Sequence, residues 1–433
     1  MSADVVTVIA LIILLALMAI GTPIFISLGL AGAVGIYLMS GSKGLFQLPA
    51  SIISQVNSFL LVAIPLYVLM GELIFISGIG RDIYNAFSKW LNRIPGGLAI
   101  ATIYSCALFG AMCGVSIAGV AAIGTMAIPE MLRRGYDKKI AAGAVAAAGA
   151  LAVLIPPSIS FIIYGSLSGE SVAKLFIGGI IPGIILATMM ALYVFFRVLL
   201  NPKLAPREFL HVSWREKIAS LRRLWVVLIL ILFVLGSIYT GIATPTEAAA
   251  IGVAGSLAIT IFYKTINWKS FVRALSNSTR ISASLLIILA CAFAFSQFLN
   301  LVRVPERVAE WATRLELPGI VVILIFMGVL ILLGCIIDGA SLIIVTTPIM
   351  LPAVKALGFD PLWFGILMVL NVEIAVITPP VGLNLYTLKS IAEDLTIDEI
   401  IRGTAPYIVV DTLCLLLFVF APSLALWLPS TMR

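Results

Sequence analysis

Long runs of apolar residues dominate the chain and are separated by short polar stretches. A membrane-crossing helix needs about 20 apolar residues, and several of these runs are shorter or are interrupted by Gly and Pro. The longest polar stretch covers 201–223 and contains the single histidine, His211, which we interpret as a loop residue without a catalytic role. The apolar runs lie at 5–21, 24–39, 51–78, 98–114, 116–129, 139–165, 172–200, 224–241, 245–263, 281–300, 318–335, 340–357, 362–388 and 404–428.

Composition supports a membrane location. Of the 433 residues, 62% are hydrophobic and 11% charged, whereas a soluble domain has about 25% charged residues. A protein with so few charged residues would have an apolar surface that requires lipid as its solvent. The long apolar runs favour helices over a β-barrel. We therefore predict an all-α polytopic membrane protein. The first apolar run lacks a basic leader and is interpreted as part of the structure, not as a cleaved signal peptide.

The net charge of +7 does not indicate nucleic-acid binding, because the basic residues lie between apolar runs, as the positive-inside rule describes. The five cysteines form no CxxC pair and are interpreted as small buried hydrophobes. HExxH, GxSxG and GxxxxGK[ST] motifs are absent from the sequence, so we expect no enzyme activity and no organic cofactor.

Proline and glycine landmarks recur at a nearly constant separation of 222–224 residues. The pairs are Thr22-Pro23 with Thr244-Pro245, Pro95 with Pro318, Pro129 with Pro352, Gly135 with Gly358, Asp137 with Asp360, Pro156-Pro157 with Pro379-Pro380, and Gly179 and Pro182 with Gly403 and Pro406. This regularity predicts two copies of one unit, 1–200 and 224–433, joined by a basic linker at 201–223.

Basic segments lie at non-equivalent places in the two copies, which is what opposite insertion into the membrane produces. In the first copy Arg81, Lys89 and Arg93 are assigned to one loop, whereas Arg303, Arg307 and Arg314 of the second copy are interspersed with acids. We predict inverted repeats with a cytoplasmic linker. Each would contain a re-entrant hairpin (98–133 and 318–357) and a broken helix (139–165 and 362–388).

Broken helices and inverted repeats are typical of transporters, whose ligands bind where the backbone is unwound. The first break in each copy lies at Gly110–Gly119 and Gly334–Ser341, where glycines permit a turn and carbonyls, hydroxyls and Asp338 offer hard oxygen ligands. Close helix packing explains the small residues of the first copy equally well. Asp338 favours an ion site, because a carboxylate within a membrane is costly.

The second break contains the proline pairs, which remove backbone donors and free carbonyls one turn earlier. A simple kink is the alternative. From both breaks we predict sodium ligands and a substrate site. The sodium candidates are Gly114, Ser116, Val153, Pro156, Asp338, Gly339, Ser341, Thr378 and Pro379. The substrate candidates are Ser158, Pro157, Pro380 and Asn384. Weaker candidates for ion or proton relays are Glu72, Glu247, Glu373 and Asp411.

The chain resembles the large membrane subunit of tripartite ATP-independent periplasmic (TRAP) transporters over nearly its whole length. The stretches that carry the resemblance include SFLLVAIPLYVLMGEL (58–73), LIPPSISFIIYG (154–165), FIGGIIPGI (176–184), IIRGTAPY (400–407) and, most specifically, TPIMLPAVKALGFDPLWFGILMVLNVEIAVITPPVGLNLY (347–386). One departure is Gly119, which stands where the family usually has an acid in the first hairpin.

The resemblance implies secondary active transport in the bacterial inner membrane. A transport domain would move elevator-fashion past a scaffold and carry sodium and a small organic acid, such as a C4-dicarboxylate, sialic acid or a similar carboxylate. The implied partners are a small four-helix membrane subunit and a periplasmic substrate-binding protein. A stand-alone ion-coupled carboxylate carrier or antiporter is the alternative, since it shares the architecture and needs no binding protein.

Overall fold

The computed structural model describes residues 2–206 and 212–432 and is built from α-helices joined by short turns. Arg207 and His211 of the linker lie outside the described residues. In chain order the helices are α1 Ala3–Ala19, α2 Ile24–Val56, α3 Ala63–Ser77, α4 Ile79–Leu91, α5 Gly97–Cys113, α6 Ser116–Arg133, α7 Lys138–Leu154, α8 Ile159–Ser168, α9 Val172–Leu200, α10 Trp214–Tyr239, α11 Pro245–Phe262, α12 Trp268–Leu301, α13 Val304–Arg314, α14 Gly319–Gly334, α15 Gly339–Ala356, α16 Pro361–Ile377, α17 Leu383–Ile391, α18 Ile397–Phe420 and α19 Pro422–Ser430.

The helices confirm the prediction of an all-α polytopic membrane protein. Within the described ranges, eight helical segments are long and apolar enough to cross a bilayer, or nine if the bent helix α10 is counted as one span. Large apolar side chains are widely exposed on the outer surface, for example Phe46 at 84% and Leu200 at 83%. Water would solvate such a surface poorly, whereas lipid acyl chains cover it without cost.

Equivalent helices recur in the two halves of the chain. Lys138–Leu154 shifted by 223 residues is 361–377, the range of α16, and Ser116–Arg133 shifted likewise is 339–356, the range of α15. In each half two antiparallel helices form a hairpin (α5 with α6, α14 with α15), and the next helix is interrupted at its proline pair (α7 and α8, α16 and α17).

Two short amphipathic helices replace predicted loops. Arg81 and Lys89 lie on α4, and Arg307 and Arg314 lie on α13. The charged positions led us to expect loops, but buried apolar residues recur between them at helical spacing, as at Ile83 on α4. Arg307 also forms an ion pair with Asp4 at the start of α1.

Three helix boundaries also differ from the apolar runs. Helix α10 begins at Trp214, inside the predicted linker, because Ser213 and Glu216 form a capping box there. Helix α12 extends from Trp268 to Leu301, well beyond the run at 281–300. Helix α2 continues through the polar segment after its non-helical residue Gly41.

Helix α7 is the centre of the fold. It packs against α5, α6, α16 and α18, and every residue from Ile140 to Leu154 is buried. Eight of its residues are alanine and two are glycine. The small side chains let neighbouring backbones approach closely, so a Cβ atom on Gly143 would collide with the backbone of Gly403 on α18.

Candidate functional site

The tip of the first hairpin rests on the first proline break. Helix α5 ends at Cys113, and Gly114 turns the chain with a φ of +62° before α6 starts at Ser116. A Cβ atom on Gly114 would lie 2.5 Å from the carbonyl oxygen of Pro157. Only glycine fits this position without strain, because the backbone is left-handed and another backbone approaches it.

The first break itself is a short extended segment between α7 and α8. It contains Ile155, Pro156, Pro157 and Ser158, and the peptide bond between the two prolines is cis. Ser158 is buried, and its hydroxyl donates a short hydrogen bond to the carbonyl oxygen of Val153. The carbonyl of Val153 therefore has no helical hydrogen bond to the residue four positions later, Pro157, as the sequence predicts. In this conformation it accepts the Ser158 hydroxyl instead.

In the second half the hairpin again contacts the proline break, here through a backbone hydrogen bond. Helix α14 ends at Gly334, and the carbonyl oxygen of Cys335 accepts a hydrogen bond of 3.2 Å from the backbone N–H of Val381, directly after the second proline pair. The glycine of the hairpin again permits close packing, because a Cβ on Gly334 would lie 2.6 Å from that of Ala375.

Asp338 caps helix α15. One carboxylate oxygen accepts hydrogen bonds from the backbone N–H groups of Ala340 (3.1 Å) and Ser341 (3.2 Å), and the other accepts the Ser341 hydroxyl. Gly339 packs against Val372 of α16. The sodium candidates Asp338, Gly339 and Ser341 thus lie together at the start of α15. In this conformation the Asp338 carboxylate is already hydrogen-bonded to the first turn of that helix.

The second break, between α16 and α17, contains Thr378, Pro379 and Pro380, with a cis bond between the prolines. The hydroxyl of Thr378 donates to the carbonyl oxygen of Ile374 (2.6 Å), and the carbonyl oxygen of Pro380 accepts from Tyr386 (3.0 Å). The irregular backbone predicted from the prolines is therefore present in both halves.

Asn384 joins the two halves. It lies on α17 and is fully buried, and its side-chain nitrogen donates a hydrogen bond of 3.0 Å to the carbonyl oxygen of Ala146 on α7. Its side-chain oxygen is buried and has no hydrogen-bond partner within the described part of the chain. An oxygen in that state is available to a ligand.

Four helices begin at these breaks. In the first half α6 and α8 start at Ser116 and Ile159, and in the second half α15 and α17 start at Gly339 and Leu383. Helix N-termini carry partial positive charge and unpaired N–H groups, both of which favour anions such as carboxylates. Each half thus combines carbonyl oxygens suited to a cation with helix ends suited to an anion.

The four acids considered as relays have different surroundings. Glu247 forms a capping box with Thr244 at the start of α11, so it belongs to a helix end. Glu72 accepts a hydrogen bond of 3.2 Å from Asn277. Glu373 and Asp411 are buried, and none of their carboxyl oxygens has a hydrogen-bond partner in residues 2–206 and 212–432.

Across the described ranges, no three His, Cys, Asp or Glu side chains come together in a way that could hold a metal ion. A cation site there would rely on carbonyl, hydroxyl and amide oxygens, which suit an alkali cation. The sequence did not identify the contacts of Val381 with Cys335 or of Asn384 with Ala146. The hairpin and the proline pair have the same spacing in each half, and this regularity could have suggested the contact of Val381 with Cys335.

The fold and the two hairpin-and-break sites define a multi-pass transport protein. Two solved transporters share this fold. The YdaH transporter of Alcanivorax borkumensis superposes with a TM-score of 0.62 at 17% identity and covers 90% of this chain and 88% of its own. MtrF of Neisseria gonorrhoeae gives a TM-score of 0.55 at 14% identity and covers 96% and 94%. At these identities the likeness concerns the fold alone.

Sequence comparison gives the family. Residues 11–424 match the family described as tripartite ATP-independent periplasmic transporter, DctM component. The C4-dicarboxylate TRAP transporter large permease protein DctM of Pseudomonas aeruginosa is 36% identical over 407 residues, which are 93% of this chain and 94% of that protein. The 2,3-diketo-L-gulonate TRAP transporter large permease protein YiaN of Escherichia coli is 30% identical over 94% of this chain and 95% of its own length.

The chain therefore belongs to the DctM family of TRAP transporter large permeases, and it is a multi-pass inner-membrane protein. This confirms the resemblance inferred from the motifs at 58–73 and 347–386. The relatives are permeases of multi-component transporters and not enzymes.

Proposed function

We propose that this chain is the membrane-spanning transport component for sodium-coupled uptake of a small organic acid delivered by a periplasmic binding protein. The observation that carries the proposal is the repeated contact of a hairpin tip with a proline break, Gly114 with Pro157 and Cys335 with Val381. Secondary transporters bind their ligands at broken helices of this kind, and the chain has one such pair in each half.

Sodium would bind at each pair. In the first half the candidates are Gly114, Ser116, Val153 and Pro156, and no acid accompanies them. In the second half Asp338, Gly339, Ser341, Thr378 and Pro379 provide a site that includes a carboxylate. In the present conformation the Val153 carbonyl accepts a hydrogen bond from the Ser158 hydroxyl, and the Asp338 carboxylate accepts one from the Ser341 hydroxyl. Ion binding would exchange these hydrogen bonds for metal contacts.

The solute carboxylate would lie between the two sodium sites. Pro157, Ser158, Pro380 and Asn384 are the candidates to contact the solute, and the free side-chain oxygen of Asn384 would accept a hydrogen bond from a solute hydroxyl or protonated group. The N-termini of α8 and α17 would face the solute carboxylate. C4-dicarboxylates and 2,3-diketo-L-gulonate are the substrates named for two of the relatives.

Cavities beside the two hairpins support an elevator movement between inward- and outward-facing states. A cavity of about 880 Å³ lies beside the first hairpin and is lined by Thr125, Arg81 and Arg222 among others. A smaller one of about 550 Å³ lies beside the second hairpin and includes Ser168 and Lys355. Because the first cavity adjoins the basic linker, we assign it to the cytoplasmic side, with the two halves inserted in opposite orientations.

The test is uptake by proteoliposomes that contain this chain and its small membrane subunit. An inward sodium gradient is imposed, and a periplasmic binding protein loaded with a labelled organic acid is added outside. We expect uptake to require both sodium and the binding protein. Uptake that needs sodium but not the binding protein would instead establish a stand-alone carrier, and uptake indifferent to sodium would refute the coupling.

A further inference from the structure

We propose that Glu373, Asp411 and Tyr407 form a proton-binding site in the second half of the chain, where the two carboxyl groups together hold one exchangeable proton. Glu373 lies on α16 and Asp411 and Tyr407 lie on α18, and these helices pack against each other. The inference goes beyond the proposed function and does not depend on it.

Both acids are enclosed without a compensating charge. Glu373 is 0% and Asp411 1% exposed, and their four carboxyl oxygens are buried without hydrogen-bond partners in the described residues. The backbone of Leu154 approaches Glu373 without meeting hydrogen-bond geometry. The two carboxyl groups interact electrostatically with each other. Two interacting negative charges in an apolar interior are strongly unfavourable, and one bound proton removes half of that charge.

Tyr407 is the independent indication of a ligand. Its ring is fully buried, and its hydroxyl oxygen has no hydrogen-bond partner in the described chain although it interacts electrostatically with Asp411. Its ring centroid lies 5.0 Å from that of Tyr193 on α9, which is only half-buried. The two tyrosines therefore lead from the carboxyl pair towards the surface and provide a route for proton exchange.

The other titratable groups near the pair cannot neutralise it. Cys414 on α18 interacts with both acids and would add negative charge if ionised. The basic side chains of the packed helices lie towards their ends, and Arg402 already pairs with Asp398. These end residues are Lys138 and Lys139 on α7, Lys174 and Arg197 on α9, Lys355 on α15, Lys389 on α17 and Arg402 on α18. A proton is therefore the cation that balances the pair without requiring a cavity.

The repeat shows that the fold does not require these acids. Glu373 corresponds to Ala150 at the separation of 223, and Asp411 corresponds to Ala187 at the separation of 224 found for Pro406 and Pro182. The equivalent helices of the first half thus pack with alanine at both positions. A costly buried pair at positions where alanine suffices points to a role in binding.

The binding step is the protonation of one carboxylate. A proton from water binds to an oxygen of one carboxylate, which changes the charge of the pair from minus two to minus one. No electron is transferred and no further reactant is needed. Alkaline pH reverses the step.

Infrared difference spectroscopy of the purified chain in lipid nanodiscs tests this without transport. We expect a protonated-carboxyl C=O band at neutral pH that shifts in D2O and disappears in one step as the pH is raised. Glu373→Gln and Asp411→Asn should each remove the band or move its midpoint by about one pH unit or more. Asp398→Asn, an exposed acid on the same helix, should leave it unchanged.

Two further results would decide the matter if a carboxamide variant fails to fold. Tyr407→Phe should slow the exchange of the band in D2O, because it removes the hydroxyl next to the pair. The wild-type band must also respond to pH while circular dichroism shows an intact helical fold. A band that persists with an unchanged midpoint in both carboxamide variants, or one in the wild type that is insensitive to both D2O and pH, would overturn the proposal.

Discussion

The side-chain nitrogen of Asn384 donates a hydrogen bond to the backbone carbonyl of Ala146, 238 residues earlier in the chain. The donor follows the proline pair of the second half and the acceptor precedes that of the first. A single buried amide therefore connects the start of α17 with the middle of α7, and its side-chain oxygen has no partner in the described residues. Several consequences of this and neighbouring contacts can be measured.

Asn384→Ala should weaken both stability and transport. Loss of a buried hydrogen bond of this kind lowers the free energy of unfolding by about 0.5–1.5 kcal/mol, and the ligand oxygen is lost as well. Uptake in proteoliposomes should fall mainly through a raised KM for the solute. Asn85→Ala, at an exposed position on α4, serves as the control. An unchanged KM in the Asn384 variant would remove this residue from the substrate site.

Gly114→Ala should abolish uptake. The substitution places a methyl group against the Pro157 carbonyl and forces a left-handed backbone on alanine, at a strain of about 1–3 kcal/mol. Thermal unfolding in detergent and uptake measure the two effects. Gly328→Ala on α14 is the matched control, since nothing lies within 4 Å of its Cβ position. Normal uptake by Gly114→Ala would show that the tip need not contact the break.

Asp338→Asn separates helix capping from sodium binding. Asparagine caps a helix about as well as aspartate, so stability should change little, whereas loss of the charge should raise the sodium concentration for half-maximal uptake by about tenfold, equivalent to about 1.4 kcal/mol. The control is Asp360→Asn, because Asp360 caps α16 in the same way. If the two variants show the same sodium dependence, Asp338 is a cap alone.

Ser116→Ala tests the first sodium site, which lacks a carboxylate. Removal of one hydroxyl ligand should weaken sodium binding less than Asp338→Asn does, because carbonyl oxygens remain. Sodium-dependent uptake is the measurement. Thr125→Ala, whose hydroxyl is exposed and bonded to its own helix, is the control on α6. Wild-type sodium dependence in Ser116→Ala would place the first ion away from this residue.

Gly143→Ala should destabilise the fold. The added methyl group meets the backbone of Gly403 on α18, and overpacking of this kind costs about 1–3 kcal/mol. The melting temperature should fall, while Gly236→Ala, which has open space around its Cβ position, should leave it unchanged or raise it. Equal melting temperatures for the two variants would contradict the close approach of α7 and α18.

Much of this architecture is encoded locally and could be predicted. The adjacent prolines at 156–157 and 379–380 each remove two consecutive backbone donors, so a break could be predicted there, whereas the single prolines Pro129 and Pro182 lie inside continuous helices. The charged positions of α4 misled the interpretation, because charge suggests a loop unless the apolar residues between them, such as Ile83, are also weighed. The capping role of Asp338 has a local signal too, since Ser341 follows three residues later.

Contacts between distant segments could not be predicted in the same way. The bond between Asn384 and Ala146 depends on how two helices meet, and although Asn384 follows the second proline pair, nothing in the alanine-rich segment around Ala146 marks that residue as the acceptor. The pairing of Glu373 with Asp411 likewise depends on the packing of α16 on α18. A single sequence contains no periodicity that relates such positions, so only the assembled fold reveals them.

The alanine-rich helix at the centre has a further consequence, which concerns entropy. Alanine and glycine side chains lose almost no rotamer freedom when they are buried, whereas a leucine loses about 0.5–1 kcal/mol. Helix α7 therefore becomes ordered at a low conformational cost while it contacts seven other helices. The same property makes it intolerant of larger residues, so spectroscopic labels intended to follow movement should be attached elsewhere, for example at exposed positions of α4 or α13.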